Sequence, residues 1–290
     1  MRLDDFGRSD NVRDRRGEGG PALGGGGGAM LLILFRFIFS RFGIVGVLVA
    51  GAALFLFSNL GINPLSSGAG PSTGAADTRY DQLVGGVLLS TERVFTDVFE
   101  EENLGDYPEP TLNLFSGRVT TRGCGAASSA VGPFYCPADR EIYLDTNFFD
   151  ELSRRFGAPG DFAQAYVIAH EVGHHIQTVT GISQQVSQAQ SQARSQAEAN
   201  EYSVRLELMA DCFAGVWAKR TEIPLDRGDI DEALRAASAI GDDTLQRQSQ
   251  GRVVPDSFTH GTSEQRRRWF AAGYQAGEMG ACDTLDARSL

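Results

Sequence analysis

Three of the four histidines, His170, His174 and His175, fall within the run DFAQAYVIAHEVGHHIQTVT at 161–180. Phe162, Ala165, Tyr166, Ala169, Val172, Gly173 and Ile176 recur in it at helical spacing, which predicts a helix with one buried face. His170 and His174 are then i and i+4, one turn apart, where two imidazoles can meet one ion. Glu171 sits about 100° round the helix, close to that ion but out of line with the histidines. The chemistry of a His-Glu-x-x-His arrangement is hydrolysis: neutral imidazole nitrogens hold one zinc ion and the glutamate activates a zinc-bound water. A chance match on a buried helix competes poorly, because ionisable residues on one buried face are costly without a partner. His175 points about 100° away from His174 and cannot share the ion, so a structural or ligand-supporting place is expected for it.

A catalytic zinc takes three protein ligands and keeps one position open. The run EYSVRLELMADCFAGVWAKR at 201–220 supplies a second helix, with Leu206, Met209, Ala210, Phe213, Val216 and Trp217 as its core stripe. Glu207 and Asp211 are i and i+4 on the shoulder of that stripe. Glu207 has the longer arm and is expected as the third ligand, with Asp211 orienting a histidine. The competing reading is an exposed acidic edge. The fourth histidine, His260, lies in DSFTHGTSEQR at 256–266. It either donates a hydrogen bond to the oxyanion of a tetrahedral intermediate or is a structural histidine at a helix cap. Thr262 or Ser263 would cap that helix, with Glu264 or Gln265 near the capping-box position. Tyr202 and Tyr274 are weaker candidates for the oxyanion role.

These helices need a core, and 290 residues with 42% hydrophobic and 22% charged content can build one. A formal charge of -11, with Lys219 the single lysine, excludes a phosphate-neutralising surface and hence nucleic acid as a partner. Residues 1–29 are polar, arginine-bearing and then glycine-rich, and read as a disordered cytoplasmic tail. Residues 30–61 are apolar apart from Arg36, Ser40, Arg41, Ser58 and Asn59, and 42–60 carry no charge. That run approaches the ~20 residues of a membrane-spanning helix, and the preceding arginines place the amino terminus inside. A signal anchor is the expectation, with a cleaved signal peptide or a buried core helix as alternatives. Residues 62–79 form a small-residue linker, and the folded domain covers 80–290.

Within that domain a helix is expected over 82–101, strands over 111–115 and 141–145, and mainly helix over 148–219. Two further helices are expected over 233–246 and 263–276. This is an α+β domain, mainly helical with a small sheet. The strand at 141–145 is a candidate edge for substrate strand addition or an interior strand. The Gln/Ser/Ala stretch 183–200 reads as a solvated polar helix, or a mobile loop, near the site. Cys124, Cys136, Cys212 and Cys282 have no Cys-x-x-Cys spacing, which argues against a zinc ribbon. In an oxidising compartment Cys124 and Cys136 would close a glycine-rich loop, stabilising it by roughly 3 kcal/mol. Cys212 would then tie down the tail through Cys282. The sequence allows three connectivities, or free thiols in the cytoplasm.

HEVGHH at 170–175 followed by ELMADCFAGVWA at 207–218 resembles the bacterial neutral zinc metallopeptidase family. GPFYCPAD, IYLD, SFTHGTSEQR and the final CDT extend the resemblance over roughly 80–285. It implies a membrane-anchored protein with a zincin-like domain and a gluzincin-like site: His170, His174 and Glu207 on zinc, Glu171 catalytic. The block around His260 is also similar to the Thr-His-Pro segment of membrane zinc peptidases related to the stress-response and prenyl-protein proteases, with Gly261 replacing the proline. The expected activity is zinc-dependent hydrolysis of a peptide or protein substrate, by a single-pass membrane protein whose domain is periplasmic or extracellular. The rival is a non-catalytic, membrane-tethered binding module that keeps zinc for structure. A structural zinc, however, has no use for Glu171.

Overall fold

In the computed structural model, residues 1–17 and 80–290 are described. The expected anchor and linker lie outside them. Among the described residues no helix is long and apolar enough to cross a membrane. Helix α1 (Asp81–Glu101) buries Val84, Val87, Leu88, Phe95 and Val98 in the core. Strand β2 (Thr111–Phe115) pairs in parallel with β6 (Glu141–Asp145), in the register Thr111↔Glu141 to Phe115↔Asp145. Strand β5 (Phe134–Cys136) runs antiparallel to β6, and β1 (Val12–Asp14) parallel to β2, giving the order β1-β2-β6-β5. All five residues of β6 are buried, which makes it an interior strand. Of the two readings of 141–145 the interior strand holds, and among the described residues the edges of this sheet are β1 and β5. Between β2 and β5, β3 (Arg118–Thr120) and β4 (Ala126–Ser128) form a separate hairpin.

The rest is helical: α2 (Asn147–Arg154), α3 (Asp161–Val179), α4 (Ile182–Ser191), α5 (Gln196–Arg220), α6 (Asp229–Ala239), α7 (Asp242–Gln250) and α8 (Ser263–Ala276). The domain is α+β and mainly helical, as its patterning predicts. The helix expected over 233–246 is instead two, broken at Gly241. A Cβ there would lie 2.5 Å from the Ser263 backbone nitrogen, so the chain turns where it abuts the start of α8. Helix α3 packs against α1, α5 and α6, and α5 packs along α8. Two glycines permit these approaches. A Cβ on Gly173 would be 2.9 Å from the Ala210 Cα, and one on Gly273 would be 1.9 Å from the Cys212 carbonyl oxygen. Disulfides Cys212–Cys282 and Cys124–Cys136 are both formed, and among the described residues no cysteine is free.

Residues 1–17 depart from the expected disordered tail. Beyond the β1 pairing, the Met1 amine lies 3.0 Å from Asp229 and 3.3 Å from Asp226. Met1 and Leu3 are buried, and Phe6 and Val12 pack against the same core. Averaging composition over 29 residues hides these four apolar side chains among the arginines. The remainder of that tail lies outside the described residues.

Candidate active site

The close contact at Gly173 sets α5 directly beside the histidine face of α3. His170 Nε2 lies 3.2 Å from one oxygen of Glu207, and His174 Nε2 lies 3.3 Å from the other. The rings are nearly perpendicular, with centroids 4.8 Å apart. Each Nδ1 faces an oxygen that can only accept: Asp211 Oδ1 at 2.8 Å for His170 and Gln177 Oε1 at 3.0 Å for His174. Both Nδ1 atoms therefore donate, and both Nε2 atoms are directed at one point together with the Glu207 carboxylate. The donor atoms of the three residues lie within 4.8 Å of one another. Two imidazoles and a carboxylate, with room for a fourth ligand, fit zinc.

Behind these three donors is a buried polar network. Asp211 accepts from Tyr166 Oη at 2.5 Å, from Arg266 Nε at 2.8 Å and from Arg266 Nη2 at 2.9 Å, besides His170. Asp211 and Arg266 are almost wholly buried. Burial alone would raise the Asp211 pKa, but Arg266 and His170 bring it below the ordinary carboxylate value. Gln177 is held in turn by donating to the Leu206 carbonyl at 2.7 Å. In the metal-free protein, burial disfavours the His170 cation, yet Asp211 and Glu207 outweigh it and carry the pKa up to about 10. That strong local preference for positive charge suits a divalent ion as well as a proton.

Glu171 is buried and makes no hydrogen bond to a described residue, and its carboxyl lines a cleft of about 1110 Å³ with His170, His174 and Glu207. Burial raises its pKa against the opposing pull of the two histidines. His260 also lines the cleft. Asp242, the first residue of α7, organises its loop. One carboxylate oxygen accepts from the backbone N–H of Thr259, His260 and Gly261 at 2.7, 2.6 and 3.1 Å, and the other lies 3.2 Å from His260 Nδ1. Asp242 holds the His260 pKa above its ordinary value, more than offsetting burial. Thr262 caps α8 and forms the capping box with Gln265.

The structure brings His170, Glu171, His174, Glu207 and His260 together around one cleft, with Asp211 buried behind His170. It sets His175 elsewhere, with Nδ1 3.2 Å from Tyr135 Oη and Nε2 on the Pro108 carbonyl. Tyr202 and Tyr274 do not line the cleft. Sequence reasoning missed Tyr166, Gln177, Arg266 and Asp242. Tyr166 and Gln177 were accessible as the i−4 and i+3 neighbours of the histidines on α3. Arg266 and Asp242 come from other elements and leave no local signal.

The family described as "Putative neutral zinc metallopeptidase" matches residues 1–285. Uncharacterized protein YpfJ of Escherichia coli (strain K12) is 44% identical over 289 residues, 96% of each chain. Uncharacterized protein Rv2575 of Mycobacterium tuberculosis (strain ATCC 25618 / H37Rv) is 46% identical over 200 residues, 64% of this chain and 66% of its own. No solved structure matches. A match over nearly the whole chain, added to a donor set that suits zinc, shows that this chain belongs to the neutral zinc metallopeptidase family.

Proposed function

We propose that the protein is a zincin-like peptidase that hydrolyses peptide bonds with one zinc ion on His170, His174 and Glu207 and with Glu171 as the general base. The observation that carries this reading is the pairing of a three-residue donor cluster with a second buried carboxylate, Glu171, that makes no hydrogen bond to a described residue and opens on the cleft. Zinc bound there supplies Lewis acidity that polarises the scissile carbonyl and acidifies water. Glu171 takes a proton from the attacking water as the new C–O bond forms, and passes it to the amine as the C–N bond breaks. Its desolvated carboxylate is a stronger base than one in water. His260, oriented by Asp242, donates a hydrogen bond to the carbonyl oxygen as negative charge builds there. Asp211 and Gln177 keep the two ligand imidazoles in the required tautomer.

The free edge of β5 borders the cleft, and an extended peptide can pair with it as a fifth strand. Phe134, Phe148, Phe156 and Val167 make the adjoining wall apolar, which favours bulky apolar side chains in the substrate. We also place this domain in an oxidising compartment, because both of its disulfides are closed. The test is zinc content and hydrolysis of an unfolded protein substrate by the wild type, His174→Ala and Glu171→Gln. The expected result is about one zinc per wild-type chain, its loss in His174→Ala, and retained zinc with roughly 10²–10⁴-fold less hydrolysis in Glu171→Gln. A folded wild type without zinc would overturn the metal assignment, and undiminished hydrolysis by Glu171→Gln would remove that residue from the mechanism.

A further inference from the structure

The first 17 residues are built into the domain that carries the His170, His174 and Glu207 donor cluster. Backbone bonds continue the β1–β2 ladder on both sides: Leu112 N–H donates to Asn11 O at 2.9 Å and Arg15 N–H to Leu114 O at 2.8 Å. Upstream, Ser9 N–H donates to the Gly85 carbonyl at 3.0 Å. Glu92, a buried carboxylate on α1, accepts from Ser9 Oγ at 2.5 Å and from Asn11 Nδ2 at 2.9 Å. Gln82 donates to the carbonyls of Leu3 and Phe6, each at 2.8 Å. Helix α1 is shaped for this segment. Gly85 and Gly86 each cost a helix about 1 kcal/mol relative to alanine. A Cβ on Gly86 would lie 2.8 Å from a Leu3 methyl, and one on Gly85 would lie 3.0 Å from Arg8 Cβ. The family match also begins at residue 1.

Hydrogen-bonded strands lie about 4.8 Å apart, whereas the hydrocarbon core of a bilayer is about 30 Å thick. No membrane can separate β1 from β2. A single crossing by the apolar stretch 42–60 would nevertheless put residues 1–17 on the face opposite residues 80–290. We propose that residues 1–17 and the domain of residues 80–290 lie on the same face of the membrane. Chain length permits this: residues 18–79, at about 3.3 Å each, reach on the order of 200 Å. The proposal does not depend on the peptidase reading.

The test uses the full chain in bacterial membranes. Asp4→Cys, Asp10→Cys and Ser187→Cys each add one exposed thiol to a protein whose four native cysteines are all in disulfides. A membrane-impermeant maleimide is applied to intact spheroplasts and to lysed ones. The expected result is that the amino-terminal cysteines label to within about twofold of Ser187→Cys in intact spheroplasts. Labelling of all three only after lysis also supports a shared face, while overturning the oxidising compartment. Protection of Asp4→Cys and Asp10→Cys in intact spheroplasts where Ser187→Cys labels fully, with that protection lost on lysis, would overturn the proposal.

Discussion

Asp211 has more work to do than a ligand-orienting carboxylate usually has. It fixes His170 from behind and is the counter-charge of Arg266, a guanidinium with almost no access to water. Removing its charge should therefore be felt in two ways. In Asp211→Asn, zinc affinity should fall by about 10–100-fold, read by chelator competition. The unpaired Arg266 should also lower stability by about 3–5 kcal/mol, read by urea unfolding of the metal-free protein. Asp242 is different, because it touches none of the three proposed zinc ligands. Asn at 242 can still accept from the backbone of the His260 loop, so zinc content should not change. What it loses is the charge that holds the His260 pKa up. If protonated His260 is the donor to the oxyanion, kcat is lost as pH rises through that pKa. Asp242→Asn should move this alkaline limb to lower pH and cut kcat roughly 10-fold or more, with KM little changed. An unmoved limb would show that His260 is not that donor.

The elements were legible where the signal was local. Strands β2 and β6 and helix α8 occupy the residues that alternation, periodicity and the capping box predict. The pairing of α3 with α5 was legible as chemistry, since a zinc needs a third ligand, but not as packing. Gly173 lies inside the His-Glu-x-x-His run as an unspecified position, and only the structure gives its reason: the Ala210 backbone fills the space where a side chain would be. Gly173→Ala should separate the two helices, costing about 1–3 kcal/mol in thermal or denaturant unfolding and weakening zinc binding as Glu207 retreats. Gly241 and Asp242 were illegible for the opposite reason. The helical pattern runs through them, and a contact with the start of α8, some twenty residues on, decides the break. His175 joins the layers, linking α3 to Pro108 and to Tyr135 on β5. Burial lowers its pKa to about 4. The unfolded chain then binds the extra proton between about pH 6.5 and 4, so this stabilisation is complete above that window and lost as pH falls through it. The swing is roughly 3 kcal/mol, and His175→Gln should flatten that part of the stability profile of the metal-free protein.

At the scale of the whole molecule, the division of the chain into tail, anchor, linker and domain followed composition, and composition misplaced the first 17 residues. Their apolar side chains are few, yet the core accepts them because β2 and α1 leave an edge and a glycine-lined face to cover. Deleting them would expose the edge of β2 and strand Glu92, whose pKa is already raised by burial and restrained by Ser9 and Asn11. An unsatisfied buried carboxylate costs about 1–3 kcal/mol, and a re-exposed leucine or methionine about 1.5–3 kcal/mol. A loss of about 3 kcal/mol in a domain of this size lowers Tm by roughly 6–12 °C. Full-length protein lacking residues 1–17 should show that drop in a thermal melt, and a synthetic peptide of residues 1–17 should restore part of it. The Met1 amine lies 3.7 Å from Asp161, the first residue of α3, which carries His170 and His174, so the deletion should also loosen zinc if they hold it. A deletion that melts like the full chain and keeps its zinc would mean that the strand is an accessory to the fold, and that the domain from Tyr80 onward holds the site on its own.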